Sequence, residues 1–156
     1  MNHNRRTLLK GTMAASATGL AISAGLLTPK AVLAAWPKAA FEAKDVDAAL
    51  AASQGSSKTS ESAKIKLKAP DIAENGAVVP ITVTSDISGT ESISVLVQKN
   101  AQPLTATFNL GSNTEGYIST RIKMGKTSDV VAVVKAGGKL YSTKKQVKVT
   151  IGGCGG

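Results

Sequence analysis

Asp129-Val130-Val131-Ala132-Val133-Val134-Lys135 is a short apolar run closed at each end by a charge. Its length and β-branched content are those of a strand buried on both faces. Lys139 to Ile151 (KLYSTKKQVKVTI) follows across Gly137-Gly138 and reads as a long strand, expected to break near Lys144. Upstream, from Ala63, the chain alternates polar and apolar residues. Lys64-Ile65-Lys66-Leu67-Lys68-Ala69, Glu91 to Gln98, Leu104 to Leu110 and Tyr117 to Met124 all show the pattern, and Ala77 to Ser85 is β-branched throughout. Pro80 inside that last segment points to an edge strand or a bulge, because proline cannot donate to a ladder. Gly, Asn, Asp and Pro clusters separate the runs. Seven short strands with turns at this spacing predict an all-β, antiparallel β-sandwich with no helix inside it. The Val130–Val134 run requires cover on both faces but does not say whether a neighbouring sheet or a partner protein provides it.

Ahead of the strands, Ala39 to Ala52 is alanine-rich, with Phe41, Val46, Ala49 and Leu50 near helical spacing. One short amphipathic helix is expected there, opened by Pro37 at its first turn, with Asp45 and Asp47 too far inside to cap it. Its Phe41/Leu50 face should dock on the sandwich. Ser53 to Ser60 reads as a polar linker.

The N-terminus carries Arg5-Arg6 before Leu8-Leu9-Lys10, then a mildly apolar run from Gly11 to Leu27, then Ala31-Val32-Leu33-Ala34-Ala35. This is the plan of a secretory signal, and the paired arginines resemble a twin-arginine export signal. The run is too rich in Gly, Ser and Thr for a membrane span. Cleavage is expected after Ala34, with Ala35 as the alternative, so periplasmic localisation follows, with no stable membrane insertion afterwards. Residues 1–34 hold Arg5, Arg6, Lys10 and Lys30 and no acid, so removing them lowers the formal charge from +9 to +5. Four segments result: signal 1–34, helix and linker 35–62, sandwich 63–151 and tail 152–156.

The sole histidine, His3, lies in the signal. A chain without histidine has no Ser-His or Cys-His nucleophile pair. It also lacks the commonest zinc and copper ligand, and one cysteine with Met124 cannot build a sulfur cage. No cofactor or metal is therefore expected, and any chemistry involving the chain should be supplied by other proteins. Lys64, Lys66 and Lys68 share one strand face, and Lys144, Lys145 and Lys148 sit on the last strand. Either group could attract an anion or an acidic partner, or simply solvate a strand and block edge pairing. A single arginine after the signal, Arg121, and no aromatic platform argue against nucleic-acid binding.

The chain ends Gly152-Gly153-Cys154-Gly155-Gly156. An odd cysteine in an exported protein is a reactive thiol or half of an intermolecular disulfide. Flanking glycines make the tail thin and flexible, suited to entering a narrow pocket on another protein. Ordering five such residues costs roughly 1–2 kcal/mol each at the backbone, so engagement of any one pocket should be weak and reversible. No histidine or helix N-terminus in the local sequence activates the thiol, which leaves activation to the receiving active site.

Arg5-Arg6, the start Ala35-Trp36-Pro37, the segment Ile65-Lys66-Leu67-Lys68-Ala69-Pro70-Asp71-Ile72-Ala73-Glu74-Asn75-Gly76 and the terminal Gly152-Gly153-Cys154-Gly155-Gly156 together resemble the SoxY family. Its members are sulfur-carrier subunits of the periplasmic Sox thiosulfate-oxidising system. The resemblance implies an immunoglobulin-like sandwich that forms a heterodimer with SoxZ and is not itself an enzyme. It makes Cys154 the covalent attachment point and Gly152, Gly153, Gly155 and Gly156 a swinging arm. It further implies transient docking to SoxAX, a haem enzyme that joins thiosulfate to the thiol, and to SoxB, a manganese hydrolase that releases sulfate. A sulfur dehydrogenase, SoxCD, is a further expected visitor. Two other readings compete: an exported structural or interaction module crosslinked through a terminal disulfide, and a metal chaperone.

Overall fold

The structure, a computed structural model, describes residues 37–150. The expected export signal and the Gly152–Gly156 ending lie outside the described residues.

Among the described residues, nine strands form two sheets. In chain order they are β1 (Thr59–Glu61), β2 (Ile65–Lys68), β3 (Ile72–Ala73), β4 (Val79–Ser85), β5 (Thr90–Val97), β6 (Leu104–Asn109), β7 (Tyr117–Ile122), β8 (Ser128–Ala136) and β9 (Lys139–Val149). The larger sheet runs β1-β9-β8-β5-β6, with β3 also on β9, and the smaller runs β2-β4-β7. The fold is an all-β, immunoglobulin-like sandwich, and each of the seven expected strands is present.

Alternation decides what each strand buries. Ile81 and Val83 of the small sheet meet Ile93, Val95, Val97, Val130, Ala132, Val134 and Val147 of the large one, all nearly or fully buried. The other face of the large sheet is covered too. Val133, Leu96, Leu104 and Leu140 pack against Ala40, Ala49 and Leu50 from two helices, α1 (Lys38–Glu42) and α2 (Val46–Gln54). This double cover explains the unbroken apolar run of β8: its even-numbered residues serve the sandwich core, and Val133 serves the helix layer. The second cover is intramolecular. Gln54 extends it with polar contacts, donating to Ser94 Oγ at 2.9 Å and accepting from Ser92 Oγ at 3.3 Å.

The helical region departs from expectation. It is two helices, broken at Ala43-Lys44, and Asp45 does cap: its backbone is extended (φ −134°, ψ 162°) and its Oδ1 accepts from Ala48 N at 2.8 Å. The carboxylate satisfies an otherwise unpaired amide of α2, which favours restarting the helix there over running through. The docking face is as expected, with Leu50 buried and Phe41 packed beside it.

The sandwich is not wholly antiparallel. β1 and β3 both pair parallel to β9, along the edge that β8 leaves free. β1 falls inside the expected linker and is exposed at every residue, so it carries no alternation to read. Main-chain bonds and a Ser142–Thr59 hydroxyl contact at 3.1 Å hold it. β9 is continuous through Lys144, since its pairing with β8 runs without a register shift from Lys139 to Val147. Pro80 lies in β4, the central strand of its sheet, but β2 stops pairing at Thr82, so Pro80 has a neighbouring strand on one side alone. Gly137 and Gly138 close the β8–β9 hairpin with φ +55° and +70°. Two successive positive φ values suit a two-residue turn whose twist matches the strands.

Candidate functional site

The described chain ends at the last residues of β9, where two other stretches, Asp71 to Gly76 and Met124 to Thr127, meet the strand. On one edge, β3 runs alongside: Lys148 N donates to Asp71 O at 2.9 Å and Thr150 N donates to Ala73 O at 3.0 Å. On the other edge β8 has not yet begun. The hydroxyl of Thr127 takes its place, accepting from Val149 N at 3.0 Å and donating weakly to Val149 O at 3.4 Å. A side chain thus finishes the ladder where the neighbouring strand falls short.

The loop that carries Gly76 presses on the same point. Met124 N donates to Gly76 O at 2.6 Å. A Cβ at Gly76 would collide with the Met124 carbonyl oxygen and come within 2.8 Å of Val149 Cγ1. Only glycine lets the two backbones approach this closely. The segment from Ile65 to Gly76 therefore does two jobs: Ile65 and Leu67 serve the core, and Asp71 to Gly76 braces the root of the tail.

The lysines on β9 separate. Lys145 Nζ donates to Ala69 O at 2.6 Å and lies 3.0 Å from Asp71 Oδ1, so this side chain fastens the stretch leading into β3. Lys144 and Lys148 are exposed on the opposite face of the strand, and Lys144 borders a hollow with Lys44, Asp45 and Asp47. The three are not one basic patch. In the other group, Lys66 pairs with Asp86 at 2.8 Å while Lys64 and Lys68 are exposed, which is an ordinary solvated face.

A different pair of lysines lies near the end of β9. Lys99, in the β5–β6 loop, and Lys126, in the β7–β8 loop, border an open cleft of about 540 Å³ with Gly125, Thr127 and Val149. Nothing in sequence spacing could have joined them, because both loops register only as turn signals. Among the described residues, no three His, Cys, Asp or Glu side chains cluster as a metal site, and no helix is long and apolar enough to cross a membrane. Cys154 and its four glycines lie outside the described residues, so the structure presents their root and not the thiol.

A family model described as "Sulfur oxidation protein SoxY" matches residues 50–154. The solved structure of the sulfur carrier protein SoxY from Chlorobium limicola f thiosulfatophilum is 46% identical. The match covers 69% of this chain and 97% of that one, with a TM-score of 0.63. No curated protein sequence matches the chain.

Proposed function

The chain belongs to the SoxY family of sulfur-oxidation proteins, and from that premise we propose that it is a covalent carrier of sulfur intermediates in thiosulfate oxidation, with Cys154 as the attachment point. The observation that carries this reading is the tail itself. In sequence, Gly152-Gly153-Cys154-Gly155-Gly156 begins two residues after Thr150, whose amide is hydrogen-bonded to Ala73, so a glycine-flanked thiol follows directly on a braced strand end.

The chemistry closes without a catalytic residue on the carrier. Thiosulfate and the Cys154 thiol lose two electrons and a proton to an oxidising partner, and a disulfide bond forms between the cysteine sulfur and the sulfane sulfur. Water then attacks the terminal sulfone sulfur at a hydrolytic partner. The bond between the two cargo sulfurs breaks, sulfate and two protons leave, and a persulfide anion stays on the arm. Where a sulfur dehydrogenase is present, three waters and the loss of six electrons and six protons turn that persulfide into an S-sulfonate. A second hydrolysis then releases sulfate and restores the thiol. The oxidising, hydrolysing and dehydrogenating partners are SoxAX, SoxB and SoxCD, and SoxZ is the heterodimeric partner. On this reading the chain is a non-catalytic subunit, exported to the periplasm by the twin-arginine route after loss of residues 1–34. The remainder divides into helices and linker (35–62), sandwich (63–151) and arm (152–156).

The test is incubation of the carrier with thiosulfate and the partner enzymes. Cys154 should gain mass as sulfur oxyanion adducts, and the Cys154→Ala protein should support no thiosulfate oxidation. Unchanged turnover with that variant would overturn the proposal.

A further inference from the structure

We propose that Asn75 is a self-modification site. The main-chain amide of Gly76 displaces ammonia from the Asn75 carboxamide, and the ring that forms opens to isoaspartate while the protein is folded. The reaction needs only water and involves neither Cys154 nor a partner protein.

The local geometry meets the needs of each reacting atom. Asn75 to Val78 is a tight turn, closed by Val78 N donating to Asn75 O at 3.3 Å, and Asn75 is exposed to water. Its side chain folds back over the turn, with Oδ1 accepting from Ala77 N at 2.9 Å, a common use of asparagine in turns. Negative charge develops on Oδ1 when a nucleophile attacks Cγ, so the Ala77 amide is a donor already in place for that charge. The nucleophile is the next amide along the chain. Among the described residues no acceptor takes the Gly76 N–H and no partner holds Asn75 Nδ2, so neither the attacking nor the leaving nitrogen has a hydrogen bond to break. Gly76 also has no Cβ to screen the approach. The other described asparagines differ. Asn100 uses both side-chain atoms, Nδ2 donating to Lys123 O at 2.8 Å and Oδ1 accepting from Gly125 N at 3.0 Å. Ala101, Leu110 and Thr114 follow Asn100, Asn109 and Asn113, so a side chain screens the amide in each case.

In the first step Gly76 N bonds to Asn75 Cγ and gives up its proton. The Cγ–Nδ2 bond breaks, ammonia leaves with that proton, and a succinimide remains. Water then cleaves the ring at Cγ to give aspartate, or at the main-chain carbonyl carbon to give isoaspartate. In isoaspartate the main chain runs through the former side chain and is longer by a methylene. The fold cannot absorb that methylene where it arises. Gly76 O accepts from Met124 N at 2.6 Å, and a carbon added at Gly76 would meet the Met124 carbonyl and come within 2.8 Å of Val149 Cγ1. Close packing requires glycine at 76 and the turn uses asparagine at 75, so the labile pair is built into the brace itself. Conversion therefore loosens Gly76 from Met124 and Val149 and frees the end of β9.

The test is ageing of the full chain in mildly alkaline buffer, followed by peptide mapping with isoaspartate scored by an isoaspartyl methyltransferase. Asn75 should convert while Asn100, Asn109 and Asn113 stay intact, and the rate should rise with pH as the Gly76 amide loses its proton. Two variants separate reaction in the folded protein from reaction in the unfolded chain. Leu50→Ala raises the unfolded population by more than about tenfold, yet should leave the rate unchanged. Gly76→Ala loosens the strand end, yet should slow conversion severalfold because its methyl group screens Asn75 Cγ. The converted protein, separated by ion exchange on its added negative charge, should show faster amide exchange at Val149 and Thr150 with little change at Leu140. Asn75 intact after ageing, or conversion that speeds up in either variant, would overturn the site. Unchanged exchange at Val149 in the converted protein would overturn its effect on the brace.

Discussion

The two ends of β9 are finished by different physics. At its start, Lys139 follows a two-glycine turn, and β8 lies alongside from the first pair, Ala136 with Lys139. Leu140 is then covered by the helix layer. At its end, Val149 has no β8 partner and no local turn. It is held instead by β3 on one edge, the Thr127 hydroxyl on the other and the close approach of Gly76. Both ends have supports from far earlier in the chain, β1 beside Leu140 to Ser142 at the start and β3 at the end, but only the start also has β8, its neighbour in sequence, alongside. The end that leads to Cys154 lacks the β8 partner, so its position is set by supports from elsewhere in the fold and not by a hairpin neighbour.

The contrast can be broken by substitution. Leu50→Ala removes a side chain buried between α2 and the large sheet and should cost about 2–5 kcal/mol in urea unfolding. Its local effect should fall on the Leu140 end, leaving amide exchange at Lys148 to Thr150 no faster than the global loss of stability requires. Gly76→Ala comes next, at about 1–3 kcal/mol, because the new methyl meets the Met124 carbonyl and Val149. This variant should loosen the tail end first, with Thr150 exchanging before the core. If Gly76→Ala instead loosened the hairpin at Gly137-Gly138, the two ends would not be independent. Thr127→Val is the finest probe. It keeps the shape, removes the hydroxyl that stands in for a strand, and should cost about 0.5–1.5 kcal/mol. Its signature is faster exchange at the Val149 amide with little change at Leu140.

The same contrast sorts what the sequence shows in advance. The seven main strands are legible because each is half or wholly buried, and burial imprints period two or an apolar run on the residues. The Phe41/Leu50 face is legible for the same reason. β1 and β3 leave no such imprint: Thr59-Ser60-Glu61 is exposed throughout and Ile72-Ala73 is two residues long, so only their backbone bonds to β9 define them. The split between α1 and α2 is hidden because alanines on both sides keep helical spacing, and the capping bond from Asp45 is visible only once the chain has turned. The tail motif is legible as chemistry, since a lone cysteine among four glycines has few uses. The Lys99–Lys126 cleft is not, because loops carry no periodicity and the juxtaposition depends on Asn100 bridging them.

The central claim is that Cys154 carries sulfur and that the rest of the chain positions it. Intact mass spectrometry of the protein taken from its periplasm, recorded before and after reductant, tests this most directly. The account predicts sulfane, sulfonate or thiosulfonate increments that map to Cys154 and disappear on reduction. A protein whose only modification is a stable disulfide between two copies, with no sulfur oxyanion adduct at Cys154 during thiosulfate oxidation, would contradict it.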